Sequence, residues 1–458
     1  MRKILLKNQP MTRLERRSVA VLAGIYGLRI LGLFLILPVF SLYAAQLQGN
    51  TPFLIGMALG IYGLTNAILQ IPLGTLSDHI GRKPVIAAGL LIFACGSVVA
   101  AVSDSITGVI IGRAIQGAGA IAAAAMALAA DLTSEEQRTK AMAVIGITIG
   151  VAFVLSMVLG PLLNRLIGVP GIFWLIAVLA LAAIGLLFFG VPTPVRTQRA
   201  GPKLAQFART LKNGHLLRLD IGIFCLHLVL TAMFVVLPGA MVENAGLPVN
   251  QHWRIYLPTI LASLVTMAPF VLFANRKQKM SKTLAAAVFV LIGAESIFFF
   301  GYHSLAGLAA GLWLFFSALN LLEALLPSLV SRLAPVESKG AAIGVYSTAQ
   351  FLGAFAGGSL GGLVHGHVGI GGVFLFALLV LVGWFLLALT MPEPKFLVTH
   401  ILPLKSKQLQ QPQALARQLA AIPGVAEAVV IPEEGVVYLK VDPALFSEQA
   451  MDLSHFQA

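Results

Sequence analysis

Five ionisable side chains interrupt long apolar runs of this chain: Arg29, Arg113, His227, Glu295 and Glu323. A charge inside hydrocarbon is costly, so such residues usually face a cavity or a partner and mark the path of an ion or a substrate. Two kinds of chemistry are present. His227, Glu295 and Glu323 can take up and release a proton, whereas Arg29 and Arg113 hold a fixed positive charge. Gln116, Asn320, Tyr346 and Gln350 lie on the same runs. They can line a polar path with the charged residues, or equally well pack helices together. The sequence contains no G-x-x-x-x-G-K-[ST] segment, catalytic Ser/His set or metal-ligand cluster, which argues against an enzyme and against direct use of ATP. Cys95 and Cys225 fall inside apolar runs, so neither a disulfide nor a metal site is expected. The expected energy source is a proton gradient, without a cofactor.

Membrane helices must carry these residues. Of 458 residues, 58% are hydrophobic and 11% charged, with mean hydropathy +0.91; a soluble domain is about a quarter charged. Runs 85–102, 175–191, 284–301 and 373–390 are each long enough, or nearly so, to cross a hydrocarbon core of roughly 30 Å. Twelve spans are predicted, near 18–45, 52–74, 84–103, 106–131, 141–165, 171–192, 218–242, 254–275, 283–301, 305–331, 339–365 and 369–391. The first is longer than a signal-peptide core and is read as a retained helix.

The net charge of +13 reflects orientation rather than nucleic-acid binding. Before the first span stand Arg2, Lys3, Lys7, Arg13, Arg16 and Arg17. Arg82, Lys83, Arg138 and Lys140 follow in alternate gaps, then Arg196, Arg199, Lys203, Arg209, Lys212 and Arg218. Arg276, Lys277, Lys279, Lys282, Arg332 and Lys339 complete a set of 22 on one side, against Arg165 and Arg254 on the other. The positive-inside rule then puts both termini in the cytoplasm and requires an even number of spans. With that orientation, His227 lies about nine residues and Glu323 about eight residues from the cytoplasmic side, some 12–14 Å deep. Arg29 is close to that level, so the three can share one inner-half cavity, with Arg29 a possible partner of Glu323. Arg113 lies in the outer half.

The chain also repeats itself. The fifth and eleventh predicted spans each open on a Lys, and each carries a glycine pair fourteen residues apart: Gly146 and Gly160, then Gly344 and Gly358. Small residues at such intervals let membrane helices approach closely. The expected division is a six-helix bundle at 1–192, a basic cytoplasmic linker at 193–217, a second six-helix bundle at 218–391 and a soluble unit at 395–458. Two similar halves suit a transporter that rocks about a site between them.

The loop after the second predicted span reads Gly74-Thr75-Leu76-Ser77-Asp78-His79-Ile80-Gly81-Arg82-Lys83-Pro84. This resembles the G-x-L-a-D-[RK]-x-G-[RK]-[RK] signature of the major facilitator superfamily, with His79 where the family prefers Arg or Lys. Arg113-Ala114-Ile115-Gln116-Gly117 is similar to the family's R-x-x-Q-G pattern, and Gly160-Pro161 to a fragment of its antiporter signature. Ser156 and Asn164 depart from that signature. The resemblance implies an all-α, twelve-helix protein in two pseudo-symmetric halves, multi-pass in a bacterial inner membrane and acting as a monomer. It also implies a latch between the halves built from Gly74, Leu76, Asp78, Gly81, Arg82, Lys83 and Asp131. Physically, Asp78 can meet the positive end of the eleventh helix while Arg82 bridges Asp78 and Asp131. The candidate proton and substrate residues are Glu323, His227, Arg29, Arg113, Glu295, Gln116, Asn320 and Gln350.

Beyond Met391 the composition turns soluble. Strands at 396–402, 425–431 and 436–441 and helices at 412–422 and 443–453 are predicted, a β-α-β-β-α order that begins a ferredoxin-like fold. The Ile422-Pro423-Gly424-Val425 run is similar to heavy-metal-associated domains, but the paired cysteines of that family are absent. The expected partners are the lipid bilayer, protons and a small molecule, with no nucleic acid. Proton-coupled export of a hydrophobic or amphipathic compound leads. Coupled or facilitated uptake, and a non-transporting sensor signalling through the tail, stay open. The charge asymmetry predicts that a reporter active only in the cytoplasm works when fused after Met391; activity of a periplasm-only reporter there would remove the even-span topology.

Overall fold

The computed structural model describes residues 11–193, 204–276, 279–335, 338–393, 398–404, 412–431, 435–442 and 445. The helices are α1 (Arg13–Leu35), α2 (Phe40–Ala44), α3 (Pro52–Ile80), α4 (Arg82–Ala101), α5 (Ile106–Ala118), α6 (Ala122–Asp131) and α7 (Glu135–Gly190). They continue with α8 (Leu204–Lys212), α9 (Gly214–Gly239), α10 (Trp253–Arg276), α11 (Met280–Gly301), α12 (Leu305–Leu333) and α13 (Lys339–Leu389). Among the described residues, ten helical segments are long and apolar enough to cross a membrane. Two of these are double length. α7 turns at Gly168 (φ +67°) and α13 at Gly369 (φ +81°), so each is two helices joined at a residue in the left-handed region, where glycine meets no Cβ penalty.

Short polar residues start many helices. Thr51, Ser105 and Ser304 accept from the N–H three residues on, satisfying donors that the first turn leaves free. Glu15 closes a capping box with Thr12 and also accepts from the Ser134 N–H at the start of α7 (2.8 Å). Glu393 does the same for α11, taking the N–H groups of Ser281 and Lys282 at 3.0 and 3.1 Å. Two predicted spans are shorter or less regular than expected. The first ends at Leu35 rather than 45, because Pro38 cannot continue the ladder. The fourth breaks at 119–121, between α5 and α6.

Close packing rests on glycine. Along α13, Gly353 and Gly357 lie against the backbone carbonyls of Phe224 and Leu228 on α9, and Gly361 against Ala232. One position around the helix, Gly358 and Gly362 lie against Gly56 and the Pro52 carbonyl on α3. α13 therefore joins α9, in its own half of the chain, to α3 in the other. Gly160 likewise sits on the Leu35 carbonyl, but Gly146 has open space around it and Gly344 meets only ordinary contacts. Of the paired glycines, then, the second of each pair makes the close crossing, because helices that cross at an angle touch at one level only. The contacts between halves gather at the end of α3 away from Asp78. Phe351 rests on Tyr62 at 6.2 Å and Phe316 on Phe153 at 5.9 Å.

The tail forms β1 (Val398–Pro403), α14 (Pro412–Ala420), β2 (Val425–Ile431) and β3 (Val436–Val441). The sheet order is β1-β3-β2, antiparallel throughout, with Val398 opposite Val441 and Ile431 opposite Val436. Val437, Leu439 and Val441 point to one face and join Leu419 in a small core, as strand alternation requires. On the other face Lys440 pairs with Glu427 (2.9 Å) and donates to the Ala334 carbonyl (2.9 Å) at the end of α12. The expected helix at 443–453 lies outside the described residues.

A Cβ added at Gly366 would lie 3.4 Å from the Pro52 Cβ, at the short edge of disulfide geometry. With Cys95 and Cys225 replaced, a Pro52→Cys/Gly366→Cys chain should cross-link under mild oxidant. Failure of that pair to form, in protein that elutes as a single species, would contradict this α3–α13 crossing.

Candidate functional site

Polar side chains gather in two separate intramembrane clusters and one cluster at the basic end. The first lies among the N-terminal helices. Gly96 on α4 and Gly112 on α5 bring those two backbones into contact, and this directs Arg113 toward α3. Its Nε donates to the Ala58 carbonyl (3.3 Å), Nη2 to Leu59 (3.4 Å) and Nη1 to Gln116 Oε1 (2.8 Å). Gln116 donates onward to Ser97 Oγ (2.7 Å), which donates to the Phe93 carbonyl. Arg113 is 2% exposed, and its guanidinium stands 5.2 Å from the Tyr62 ring centre. Arg29 approaches the same ring at 5.8 Å and Phe93 at 5.7 Å. Its Nη2 donates to the Gly119 carbonyl at 3.1 Å, inside the break of the fourth span. The expected Arg29–Glu323 partnership is not what the structure shows: Arg29 is turned into its own half by that carbonyl.

The second cluster lies among the C-terminal helices. His227 Nδ1 donates to the Ile223 carbonyl (3.3 Å), which leaves Nε2 to accept from the Gln350 amide (2.8 Å). Glu323 Oε1 stands 3.5 Å from the same Nε2. Three helices thus meet at one imidazole: α9, α12 and α13. A proton arriving at Nε2 would turn it from acceptor to donor, facing the carboxylate. Asn320, one turn before Glu323, donates to Ser263 Oγ on α10 (3.0 Å). Tyr346 is buried with its hydroxyl unpartnered, within electrostatic reach of Glu323 and Asp220. Asp220 was missed from sequence. It is 6% exposed with one carboxylate oxygen unpartnered, two turns before His227 on the same face of α9. The signal available was that seven-residue spacing inside the seventh span. Glu295 is fully buried on α11 with both oxygens unpartnered; among the described residues it joins neither cluster.

At the basic end, Gly81 (φ +107°) ends α3 and starts α4, a conformation that side chains rarely adopt. The turn sets Arg82 between two carboxylates. It pairs with Asp78, and its Nε lies 3.2 Å from Asp131 Oδ2. Its Nη1 also donates to Ser77 Oγ (2.7 Å). Gly74 lets α3 approach Ala123 of α6, and Leu76 is exposed. Asp78 has Arg82 as its partner in this structure, and Lys83 is buried, donating to the Val191 carbonyl at the end of α7. The long lysine stem reaches a free helix-end carbonyl that needs a donor.

Replacing Arg113 orphans Gln116 and two backbone contacts in a buried site, where leaving a buried acceptor unsatisfied costs about 1–3 kcal/mol. Arg113→Ala should lower thermal stability in detergent by that order, and Arg113→Lys should recover little, since a single ammonium cannot reach all three acceptors. A melting curve unchanged in both would deny this network a structural role.

Comparison with known proteins places these features. The Major Facilitator Superfamily profile matches residues 22–358. The chain is 45% identical to the inner membrane transport protein YajR of Escherichia coli (strain K12) over 435 residues, 94% of this chain and 95% of that protein. It is 35% identical over 351 residues to the uncharacterized transporter BU466 of Buchnera aphidicola subsp. Acyrthosiphon pisum, 76% of this chain and 90% of that one. Among solved structures, a bacterial homolog of the human lysosomal transporter Spinster, inward-facing and occupied, superposes with TM-score 0.69. It shares 13% identity, covers 84% of this chain and 98% of its own, and so shares the fold.

Proposed function

The chain belongs to the major facilitator superfamily, a family of transporters rather than enzymes, and from that premise we propose that it exports a small hydrophobic or amphipathic compound by proton-coupled alternating access. The proposed arrangement is twelve crossings of the inner membrane with both termini cytoplasmic, residues 1–192 and 218–391 forming the two moving halves. Breaks at Gly168 and Gly369 support the count, since each turns one long helix into two. The 22-to-2 cation asymmetry supports the orientation. The tail, 395–458, is proposed as a ferredoxin-like unit: a third strand lies between the first two, the split β-α-β arrangement of that fold.

One observation carries the proton reading. His227 Nε2 faces Glu323 at 3.5 Å and accepts from the Gln350 amide on α13, so a titratable pair spans helices that must move together. Such intramembrane pairs are costly unless used. In this orientation the glycine contacts of α3 and α13 seal the periplasmic end, and the Asp78–Arg82–Asp131 triad sits at the cytoplasmic end. We propose that the triad stabilises the alternative, cytoplasm-closed state when Asp78 reaches the start of α13. Gly74, Leu76, Gly81 and Lys83 would then position it.

Proteoliposomes containing a pH-sensitive dye give the test. A panel of hydrophobic and amphipathic compounds should drive proton movement through the native protein. Glu323→Gln keeps size and removes the titratable group, so it should abolish that movement while compounds still bind. Equal proton movement in the variant would take the proton away from Glu323, and compound flux indifferent to a pH gradient in both would remove proton coupling altogether.

A further inference from the structure

The break between α5 and α6 brings a helix N-terminus and a buried guanidinium to one place. α6 starts at Ala122 with Ile121 in the capping position, and no side chain caps it. The first-turn N–H groups of a helix have no partner within their own helix, and here Ile121, Ala122 and Ala124 are buried. Arg29 adds further donors. It is 2% exposed, its Nη2 reaches the Gly119 carbonyl three residues before α6, and its Nε and Nη1 have no partner. Among the described residues no carboxylate pairs with it, and Glu323 and Asp220 belong to the other half. Buried charges are normally paired, and buried donors normally bonded.

We propose that this break is an anion site, in which the N-terminus of α6 and the unbonded donors of the Arg29 guanidinium take a carboxylate or comparable oxyanion of the transported molecule. The helix end supplies partial positive charge and aligned N–H groups; the guanidinium supplies its full charge and the unbonded Nε–H and Nη1–H. Discontinuous membrane helices are where such groups are held in transporters generally. Tyr62 and Phe93, which flank the guanidinium, give an apolar tail somewhere to lie. Tyr62 rests on Phe351 of the opposite half, so separating the halves at that contact uncovers one wall of the site. This rests on the transport reading and narrows it: the amphipathic cargo is an anion.

The test measures binding on the full chain in nanodiscs, by thermal unfolding followed through tryptophan fluorescence, without any pH gradient. The probes are octanoate, octylammonium, 1-octanol, chloride and inorganic phosphate at matched ionic strength. Octanoate should raise the unfolding midpoint, and octylammonium and octanol should not. Arg29→Gln should weaken octanoate at least about tenfold, the order expected for losing a charge-assisted hydrogen bond, and Arg29→Lys should retain part of the effect. Equal protection by octanol would reduce the site to an apolar pocket, and equal protection by chloride or phosphate alone would make it a site for inorganic anions; either overturns the proposal. So does an octanoate affinity unchanged in Arg29→Gln. The comparison among probes needs only the native protein, so it decides even where a variant fails to fold. A chain that binds octanoate through Arg29 yet moves no protons would keep this inference and lose the proton-coupling reading, and the reverse pattern would do the opposite.

Discussion

Inside a bilayer no water is available to a backbone N–H or C=O, and each such group left unbonded costs several kcal/mol. The architecture follows from that constraint. The spanning segments are helical, and their ends are closed by Thr51, Ser105, Ser304, Glu15 and Glu393. At two points where the chain leaves the helical ladder, a buried cation takes a freed carbonyl. At the break after α5, Arg29 takes the Gly119 carbonyl. At the far end of α7, Lys83 takes the Val191 carbonyl. Two cations, Arg29 and Lys83, therefore serve as donors to backbone oxygens, and they hold α1 to the break after α5 and α4 to the end of α7.

The same constraint divides the chemistry between the halves. Fixed positive charge, Arg29 and Arg113, belongs to the N-terminal helices. The titratable groups His227, Glu323 and Asp220 belong to the C-terminal ones. No ion pair crosses between these sets among the described residues, and the cross-half contacts near them are aromatic, Tyr62 on Phe351 and Phe153 on Phe316. On the proposed reading, a proton on the C-terminal half then acts on an anion in the N-terminal half through the equilibrium between conformations rather than by direct charge exchange. Each ligand shifts that equilibrium only by its difference in affinity for the two states.

The sequence made the spans legible because hydropathy and loop charge both report the bilayer itself. The strands 425–431 and 436–441 were legible from alternation and from the Pro432–Gly435 break, and both match the structure. Side-chain pairing was less so. Depth counted along a helix put Arg29 level with Glu323, but depth says nothing of the direction a side chain takes around the helix. It was the unforeseen break at 119–121 that drew Arg29 away. Ala-Gly-Ala-Ile reads as an ordinary membrane helix by composition, so that break carried no hydropathy signal. Asp220 escaped for another reason: it stands two residues inside the predicted start of the seventh span, where a carboxylate carries no signal of burial. The glycine spacing of fourteen was recognised as packing, yet only Gly160 and Gly358 make the close crossing, since periodicity identifies a face and not the level at which a neighbour meets it.

The α13 crossing shows what kind of seal this is. Gly56, Gly60 and Gly63 on α3 meet Gly358, Phe355 and Phe351 through backbone atoms, with Gly362 against Pro52. Glycine contacts order no rotamers on forming and expose no large apolar side chain on parting, so little side-chain entropy is at stake in either direction. What holds them is dispersion and weak Cα–H···O contact, each worth a fraction of a kcal/mol to about 1 kcal/mol. Larger side chains would either prevent the approach or interlock and resist separation. The other edge of the same helix, Gly353, Gly357 and Gly361, lies against α9 within its own half, where Gln350 also reaches His227 from α13. A helix held to α9 on one edge by close packing and a polar contact, and to α3 on the other by backbone contact and the Phe351–Tyr62 ring pair without a polar contact among the described residues, parts more readily from α3. On the proposed reading, that asymmetry lets one half move against the other while the His227 cluster travels intact with its own.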